Sequence, residues 1–149
     1  MPPMQLRPHH LIDIITQYGA GQDFKPSFYG HAVHTCADIV LDDTGTQVEF
    51  IVGADSICAP CIHLVDGRCD DVVGQLDPPP SKQDYNDAVD RRVFAHLGLD
   101  EGAVLTVREF LQIVKQHLEG LPEICHHPKE TVEDRAAKLA AGLAKLGIE

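Results

Sequence analysis

Three of the five cysteines of this 149-residue chain lie within twelve residues, at Cys58, Cys61 and Cys69. Thiolates are soft metal ligands, and two cysteines separated by two residues can bind one metal from a single tight turn. Pro60 lies between the first pair, and Asp66-Gly67 is typical of a chain reversal before Cys69. The spacing therefore predicts a metal-binding or iron–sulfur loop.

A fourth ligand must come from elsewhere, because zinc and iron–sulfur sites usually have four protein ligands. Cys125 is favoured because it lies in a predicted loop, whereas Cys36 lies among apolar residues of a predicted helix. A free cysteine in such a helix is typical of a plain core residue. The imidazole candidates are His9, His10, His126 and His127.

The segment Arg7-Pro8-His9-His10 forms a second group of chemically active residues. Adjacent histidines at a helix start point in different directions, so at most one is expected to bind the same metal as the cysteines. The other could act as an acid or base, and Arg7 could hold an anionic substrate through its bidentate guanidinium. The alternative is a capping or surface pair. His31 and His34 form a weaker pair on one predicted helix face.

The charge balance argues against two classes of partner. Twelve Lys and Arg against 23 Asp and Glu give a net charge of −11, and such a surface repels nucleic acid and anionic membranes. No apolar run approaches the roughly 20 residues that span a bilayer, and the N-terminus lacks the pattern of a secretion signal. With an odd number of cysteines, these features predict a cytoplasmic protein with reduced thiols.

The elements that position these residues are mostly helical. Apolar periodicity predicts helices over residues 10–18, 28–41, 83–97, 106–118 and 131–146. Residues 46–52 alternate between apolar and polar side chains and predict a strand that leads into the cysteine loop, and 104–105 predict a second short strand. The sequence therefore predicts a single α+β domain over residues 1–149, mostly helical, with a short β element before the metal-binding loop.

In combination, these motifs resemble the small bacterial and archaeal domain-of-unknown-function family 1284. The resemblance is carried by Leu6-Arg7-Pro8-His9-His10-Leu11, Val52 to Cys61, Gly67-x-Cys69, Asp90-x-x-Val93 to Leu99, and Glu109 to Cys125. Members are described as iron–sulfur or metal-binding proteins, so the resemblance implies a cofactor of that class. The family usually has a cysteine where this chain has Asp13, and its second cysteine-rich segment is reduced here to Cys125-His126-His127. Asp13 thus joins the histidines as a further candidate for the fourth ligand.

These observations together predict a protein that binds one four-iron (4Fe-4S) cluster through Cys58, Cys61, Cys69 and Cys125. The expected role is electron transfer with a redox partner protein, or activation of a small anionic substrate at an iron without a protein thiolate. In the second case Arg7, His9 and His10 are the expected catalytic residues. The alternative is a structural or catalytic zinc on the same cysteines, because thiolate ligands suit both metals. A metal-free interaction domain with reduced thiols is the third hypothesis.

Overall fold

A computed structural model describes residues 3–26, 28–74, 76–125 and 130–148 of the chain. Its helices are α1 (Pro8–Gly19), α2 (Val33–Asp42), α3 (Lys82–Leu97), α4 (Val107–Gln116), α5 (Leu121–Ile124) and α6 (Val132–Lys145). Its strands are β1 (Met4–Leu6), β2 (Gln47–Phe50), β3 (Leu64–Val65), β4 (Arg68–Cys69) and β5 (Val104–Thr106). The predicted α+β class, with helices in the majority, is confirmed. No helix in the described ranges is long and apolar enough to cross a membrane.

Four of the predicted helices, α1, α3, α4 and α6, match their predicted bounds to within two residues. Pro8 begins α1, where the N–H that proline lacks has no helical partner to lose. Gly98 ends α3 with a left-handed φ of 69°, which glycine adopts at little cost. Thr106 and Glu109 form the capping box of α4. Local sequence signals therefore determine these bounds.

The helix predicted over residues 28–41 begins five residues later, at Val33. Gly30 has a φ of 77°, which interrupts any regular helix at that point. The carbonyl of Tyr29 accepts a hydrogen bond of 2.8 Å from the N–H of Ile62, in the cysteine loop. Residues 28–30 therefore form a turn against that loop, and this tertiary contact overrides the local helical pattern.

A mixed three-stranded sheet brings the N-terminal segment to the cysteine loop. Strand β1 pairs in parallel with β2, and β2 pairs antiparallel with β5. Leu6 and Phe50 lie opposite each other at the ends of β1 and β2. Arg7 therefore leaves the sheet beside the chain that runs from β2 to the cysteine loop. The sequence did not predict β1, because three residues are too short to show an alternating pattern.

A small hairpin lies inside the cysteine loop. Strands β3 and β4 pair antiparallel, with Leu64 opposite Cys69. Asp66 and Gly67 have φ values of 51° and 79°, both positive, as a type I′ turn requires. The predicted chain reversal is confirmed, and it returns Cys69 to the chain that follows Cys61.

Helices α1 and α6 make the most extensive helix–helix contact of the described chain. They approach so closely that a Cβ atom at Gly19 would overlap the carbonyl oxygen of Lys138. A Cβ atom at Gly142 would likewise overlap the carbonyl oxygen of Ile15. Because only glycine allows this approach, α6 holds in place the helix that carries His9 and His10.

Candidate functional site

The first two cysteines of the loop lie in a tight turn that begins at Asp55. The N–H groups of Cys58 and Ala59 donate to the Asp55 carbonyl at 3.1 Å, and the N–H of Cys61 donates to the Cys58 carbonyl at 2.9 Å. Both cysteines and Cys69 are free and partly exposed. The turn thus presents two accessible thiols from four consecutive residues.

The third cysteine is fixed against α3. Cys69 lies on β4, and its backbone N–H donates to Oε1 of Gln83 at 3.0 Å. The buried Gln83 side chain in turn donates through Nε2 to Asp87, at 3.1 and 3.2 Å to the two carboxylate oxygens. The cysteine loop is therefore attached to the first two turns of α3.

Asp55 joins the cysteine loop to the segment that carries the histidines. Its carboxylate is fully buried, and Oδ2 accepts the N–H of Arg7 at 2.6 Å and Nδ1–H of His10 at 2.7 Å. Oδ1 accepts the backbone N–H groups of Ile57 (3.1 Å) and Cys58 (3.2 Å). Burial alone would raise the pKa of Asp55, but His10 and the backbone N–H groups lower it to about 2. The residue is therefore an ionised carboxylate with four hydrogen bonds.

Asp90 holds His9 in a similar way. Its Oδ1 accepts the backbone N–H of His9 at 3.0 Å and the ring Nδ1–H at 2.8 Å. Its Oδ2 accepts Nη1 of Arg7 at 2.8 Å, and Nη2 of Arg7 lies 2.8 Å from Asp87. Burial alone would raise the pKa of Asp90, but His9 and Arg7 lower it.

Arg7 is placed differently from the sequence expectation. Its side chain is 2% exposed, and both arms of the guanidinium bind buried or half-buried carboxylates. This geometry does not favour the prediction that Arg7 binds a substrate. Arg7 instead neutralises Asp90 and so helps to position His9.

Both histidines border one pocket of about 530 Å³, whose facing wall is α3 at Lys82, Tyr85, Asn86 and Val89. The imidazole centroids of His9 and His10 lie 4.6 Å apart, with their planes inclined by 55°. Each ring uses Nδ1 for a carboxylate, and Nε2 has no hydrogen bond among the residues that the structure describes. As expected, the two rings differ in their partners, because His9 binds Asp90 and His10 binds Asp55. Both rings nevertheless border the same pocket.

Cys125 also borders this pocket, together with Asp13. Its thiol is buried after α5, with Sγ donating to the carbonyl of Leu121 at 3.5 Å. Burial raises the pKa of Cys125 to about 11, and Arg135 lies beside it. Asp13 is ion-paired to Arg135. The structure thus brings the proposed fourth thiol next to the histidines, and its binding to the loop metal stays a prediction.

The other candidates for a ligand fall into three groups. Cys36 is buried in α2, and burial raises the pKa of its thiol to about 11, as expected of a core cysteine. His126 and His127 lie outside the described residues. His31 precedes α2 rather than lying within it, so the predicted pair with His34 on one helix face does not form.

One group of side chains could hold a single metal ion. His10, Asp55 and Cys58 each have a ligand atom within 4.8 Å of the other two, and no other such group occurs in the described ranges. Coordination through Nδ1 of His10 would replace its hydrogen bond to Asp55, whereas coordination through Nε2 would keep it. The distance does not test a four-iron cluster, because there each thiolate binds a different iron.

A family model described as "Protein of unknown function (DUF1284)" matches residues 26–129. The chain belongs to this family. The match covers the cysteine loop, α3 and Cys125, and it confirms the family predicted from the motifs. The Arg7-Pro8-His9-His10 segment and α6 lie outside the matched residues. Comparison with curated proteins and with solved structures gives no match.

The contact between His10 and Asp55 predicts a pH-dependent stability for this DUF1284 protein. Burial alone would lower the pKa of His10, but Asp55 raises it above its ordinary value of 6.5. A raised histidine pKa stabilises the fold below pH 6.5 and loses that contribution as the pH rises through the folded-state pKa. A lowered carboxyl pKa stabilises it above about 3.8 and loses that contribution as the pH falls toward about 2.

We therefore expect the thermal unfolding midpoint to be highest between about pH 4 and pH 6.5. Differential scanning calorimetry at pH values on the acid and the alkaline side of this range measures the midpoint. The variant His10→Asn should lose the decrease on the alkaline side, while the exposed His117→Asn should keep it. An unsubstituted chain whose midpoint does not decrease above pH 6.5 would contradict the arrangement.

Proposed function

We propose that the protein binds one iron–sulfur cluster, of the four-iron type, through Cys58, Cys61 and Cys69. The observation that carries this proposal is the anchoring of three free, partly exposed thiols on one twelve-residue loop. Asp55 fixes the first cysteine and Gln83 fixes the last, with a type I′ hairpin turn between the second and the third. Preformed, accessible thiols in one loop, which lose their protons when the metal binds, are what a cluster requires of the chain.

Cys125 remains our proposed fourth ligand, with an iron that lacks a protein thiolate as the alternative. The open-iron alternative gains support because Cys125 borders the pocket with His9 and His10, whereas Cys58, Cys61 and Cys69 do not line it. The pocket also reaches the chain just after Cys69, at Asp71 and Val72. An open iron facing this side would allow a small anionic substrate to bind near both histidines.

The second candidate is a single zinc ion in place of the cluster. The observation that favours it is the approach of His10, Asp55 and Cys58 within 4.8 Å, a separation that suits one ion. In a four-ligand site, His10 would join Cys58, Cys61 and Cys69, with Asp55 as the hydrogen-bond partner of its ring. Such a zinc ion would attach the loop to α1 and stabilise the fold.

For the cluster we propose a redox role with a partner protein, in the cytoplasm, where thiols stay reduced. Phe28 (94% exposed) and Ile62 (62% exposed) present apolar surface beside the cysteine loop, joined through Tyr29. Exposed apolar side chains around a redox centre suit a transient protein contact. The net charge of −11 favours a partner with a basic surface.

Metal analysis of protein purified without oxygen tests the proposal. We expect iron and acid-labile sulfide in roughly equal amounts, with a brown chromophore that bleaches on reduction. The variants Cys61→Ser and Cys69→Ser should lose both, while Cys36→Ser, which removes a buried thiol of α2, should keep them. About one zinc per chain and no colour would contradict the cluster and support the second candidate.

Two further results of the same experiment assign the fourth ligand and the role. Loss of iron in Cys125→Ser supports a four-cysteine site, and an unchanged spectrum supports an open iron. A spectrum that changes on addition of small carboxylates or phosphate favours substrate activation. Reversible one-electron reduction without such a change favours electron transfer.

A further inference from the structure

His9 and His10 share a feature that is typical of metal-binding histidines. Each donates Nδ1–H to a buried carboxylate, His9 to Asp90 and His10 to Asp55, at 2.8 and 2.7 Å. Histidines that bind metals almost always donate their other ring N–H to a carboxylate, a carbonyl or water, which fixes the ring and makes the free nitrogen more basic. In both rings the carboxylate fixes the orientation, so Nε2 is the nitrogen that can bind a metal.

The charges behind the two rings also favour a divalent cation. Asp55 and Asp90 are fully buried and Asp87 is 14% exposed; in the described contacts the Arg7 guanidinium pairs with Asp87 and Asp90, while Asp55 pairs with His10. When both rings are neutral, as metal binding through Nε2 requires, three carboxylates against one guanidinium leave a net charge of −2; without a metal, a protonated His10 offsets part of it. Buried charge is costly unless it is compensated. One divalent ion on the pocket side of the rings would balance it.

The distance between the rings fits one shared ion. A metal lies about 2.1 Å from a bound imidazole nitrogen, so two imidazoles at an angle of 90–100° have their ring centres roughly 4.5–5 Å apart. The centroids of His9 and His10 are 4.6 Å apart. The pocket of about 530 Å³ in front of them has room for the ion and for further ligands.

We propose that His9 and His10 bind a divalent transition-metal ion through their Nε2 atoms, at a site separate from the cysteine loop. Imidazole nitrogens suit zinc and divalent iron, cobalt or nickel. Asp13 and Cys125 border the pocket but form no three-ligand group with the histidines within 4.8 Å in the described ranges. Two protein ligands leave positions for water or a small oxygen-donor ligand, so the site is of the open kind that catalysis uses.

Asp55 and Asp90 have a positioning role in this site. They do not contact the ion but hold the two rings in the tautomer that exposes Nε2. The Asp55 carboxylate also accepts the backbone N–H of Cys58, so it supports both the cysteine loop and the histidine site.

A cobalt titration on the triple variant Cys58→Ser, Cys61→Ser, Cys69→Ser tests the proposal, because that chain lacks the loop thiols. We expect one Co²⁺ per chain, with the d–d absorption of nitrogen- and oxygen-bound cobalt. His9→Asn or His10→Asn in this background should weaken binding by at least about tenfold, and Asp90→Asn by about 10–100-fold. The matched control is His117→Asn, which replaces an exposed histidine at the C-terminal end of α4 and should leave the affinity unchanged.

Absence of Co²⁺ binding, or equal affinity in His9→Asn, His10→Asn and His117→Asn, would overturn the site. If the triple variant does not fold, ¹⁵N NMR of the unsubstituted chain with Zn²⁺ decides the question. The Nε2 signals of His9 and His10 must then shift while that of His117 stays, and unshifted signals refute the proposal. The result is independent of the cluster, because iron and sulfide analysis can fail while Co²⁺ binding to the histidines persists.

Discussion

Replacing Asp90 with alanine is expected to lower the free energy of unfolding by about 3–5 kcal/mol. Asp90 is fully buried and accepts hydrogen bonds from Arg7 and from both the backbone and the ring of His9. Its removal leaves the guanidinium of Arg7, which is 2% exposed, with one carboxylate partner instead of two. A buried charge that loses its partner cannot recover the loss from solvent.

The exposed pair of Arg68 and Asp84 is the matched control for this prediction. Their ion pair has a distance of 2.9 Å, close to that between Arg7 and Asp90, but the side chains are 60% and 72% exposed. We therefore expect Asp84→Ala to cost less than about 1 kcal/mol. Urea denaturation followed by circular dichroism measures both variants. Similar small losses in the two variants would show that the buried ion pair of Arg7 with Asp90 contributes no more than an exposed one.

The variant also separates stability from metal binding. Asp90→Asn keeps the size of the side chain and one acceptor oxygen, so it should destabilise the fold less than alanine does. It should still weaken cobalt binding at His9, because an amide oxygen makes the imidazole less basic than a carboxylate does. A variant that is nearly as stable as the unsubstituted chain and yet binds cobalt poorly would assign Asp90 a positioning role beyond its structural one.

The cysteine loop could be predicted because all its information is local. The pair Cys58 and Cys61, the turn at Asp66-Gly67 and the returning Cys69 lie within twelve residues. Turn chemistry alone brings them back toward one another. The bounds of α1, α3, α4 and α6 were accessible for the same reason, since caps and periodicity act over a few residues.

The carboxylates that hold the histidines could not be identified from local patterns. Asp55 is 45 residues from His10, and Asp90 is 81 residues from His9. One signal was nevertheless present in α3, where Asp90 precedes Val93, Phe94 and Leu97 at helical spacing. A carboxylate on the apolar face of a helix requires a buried partner, and Arg7 is that partner.

Tertiary packing also decided the placement of Cys125 and the start of α2. The turn at residues 28–30 follows from a contact with Ile62, which lies in the loop and not in the helix. Cys125 lies where α5 meets α3 and α6, so its neighbours depend on how three helices pack. Neither position follows from hydrophobic periodicity, which describes one element at a time.

Replacing Gly142 with alanine should destabilise the protein by about 1–3 kcal/mol, although the exchange favours helix formation. In an isolated helix, alanine would be more stable than glycine by about 1 kcal/mol. In this fold the new Cβ would overlap the carbonyl oxygen and the side chain of Ile15, on α1. Neither backbone can yield without separating α1 from α6, so the steric cost exceeds the gain in helix propensity.

Gly74→Ala is the control, because a Cβ there meets no atom within 4 Å and the backbone has no positive φ. It should change the free energy of unfolding by less than about 1 kcal/mol, with a gain rather than a loss expected. The decisive observation is the sign of the change in Gly142→Ala. A gain of about 1 kcal/mol, as helix propensity alone would give, would mean that α1 and α6 do not approach closely. A loss would mean that α1 and α6 pack this closely, so that α6, outside the family match, supports the helix that carries His9 and His10.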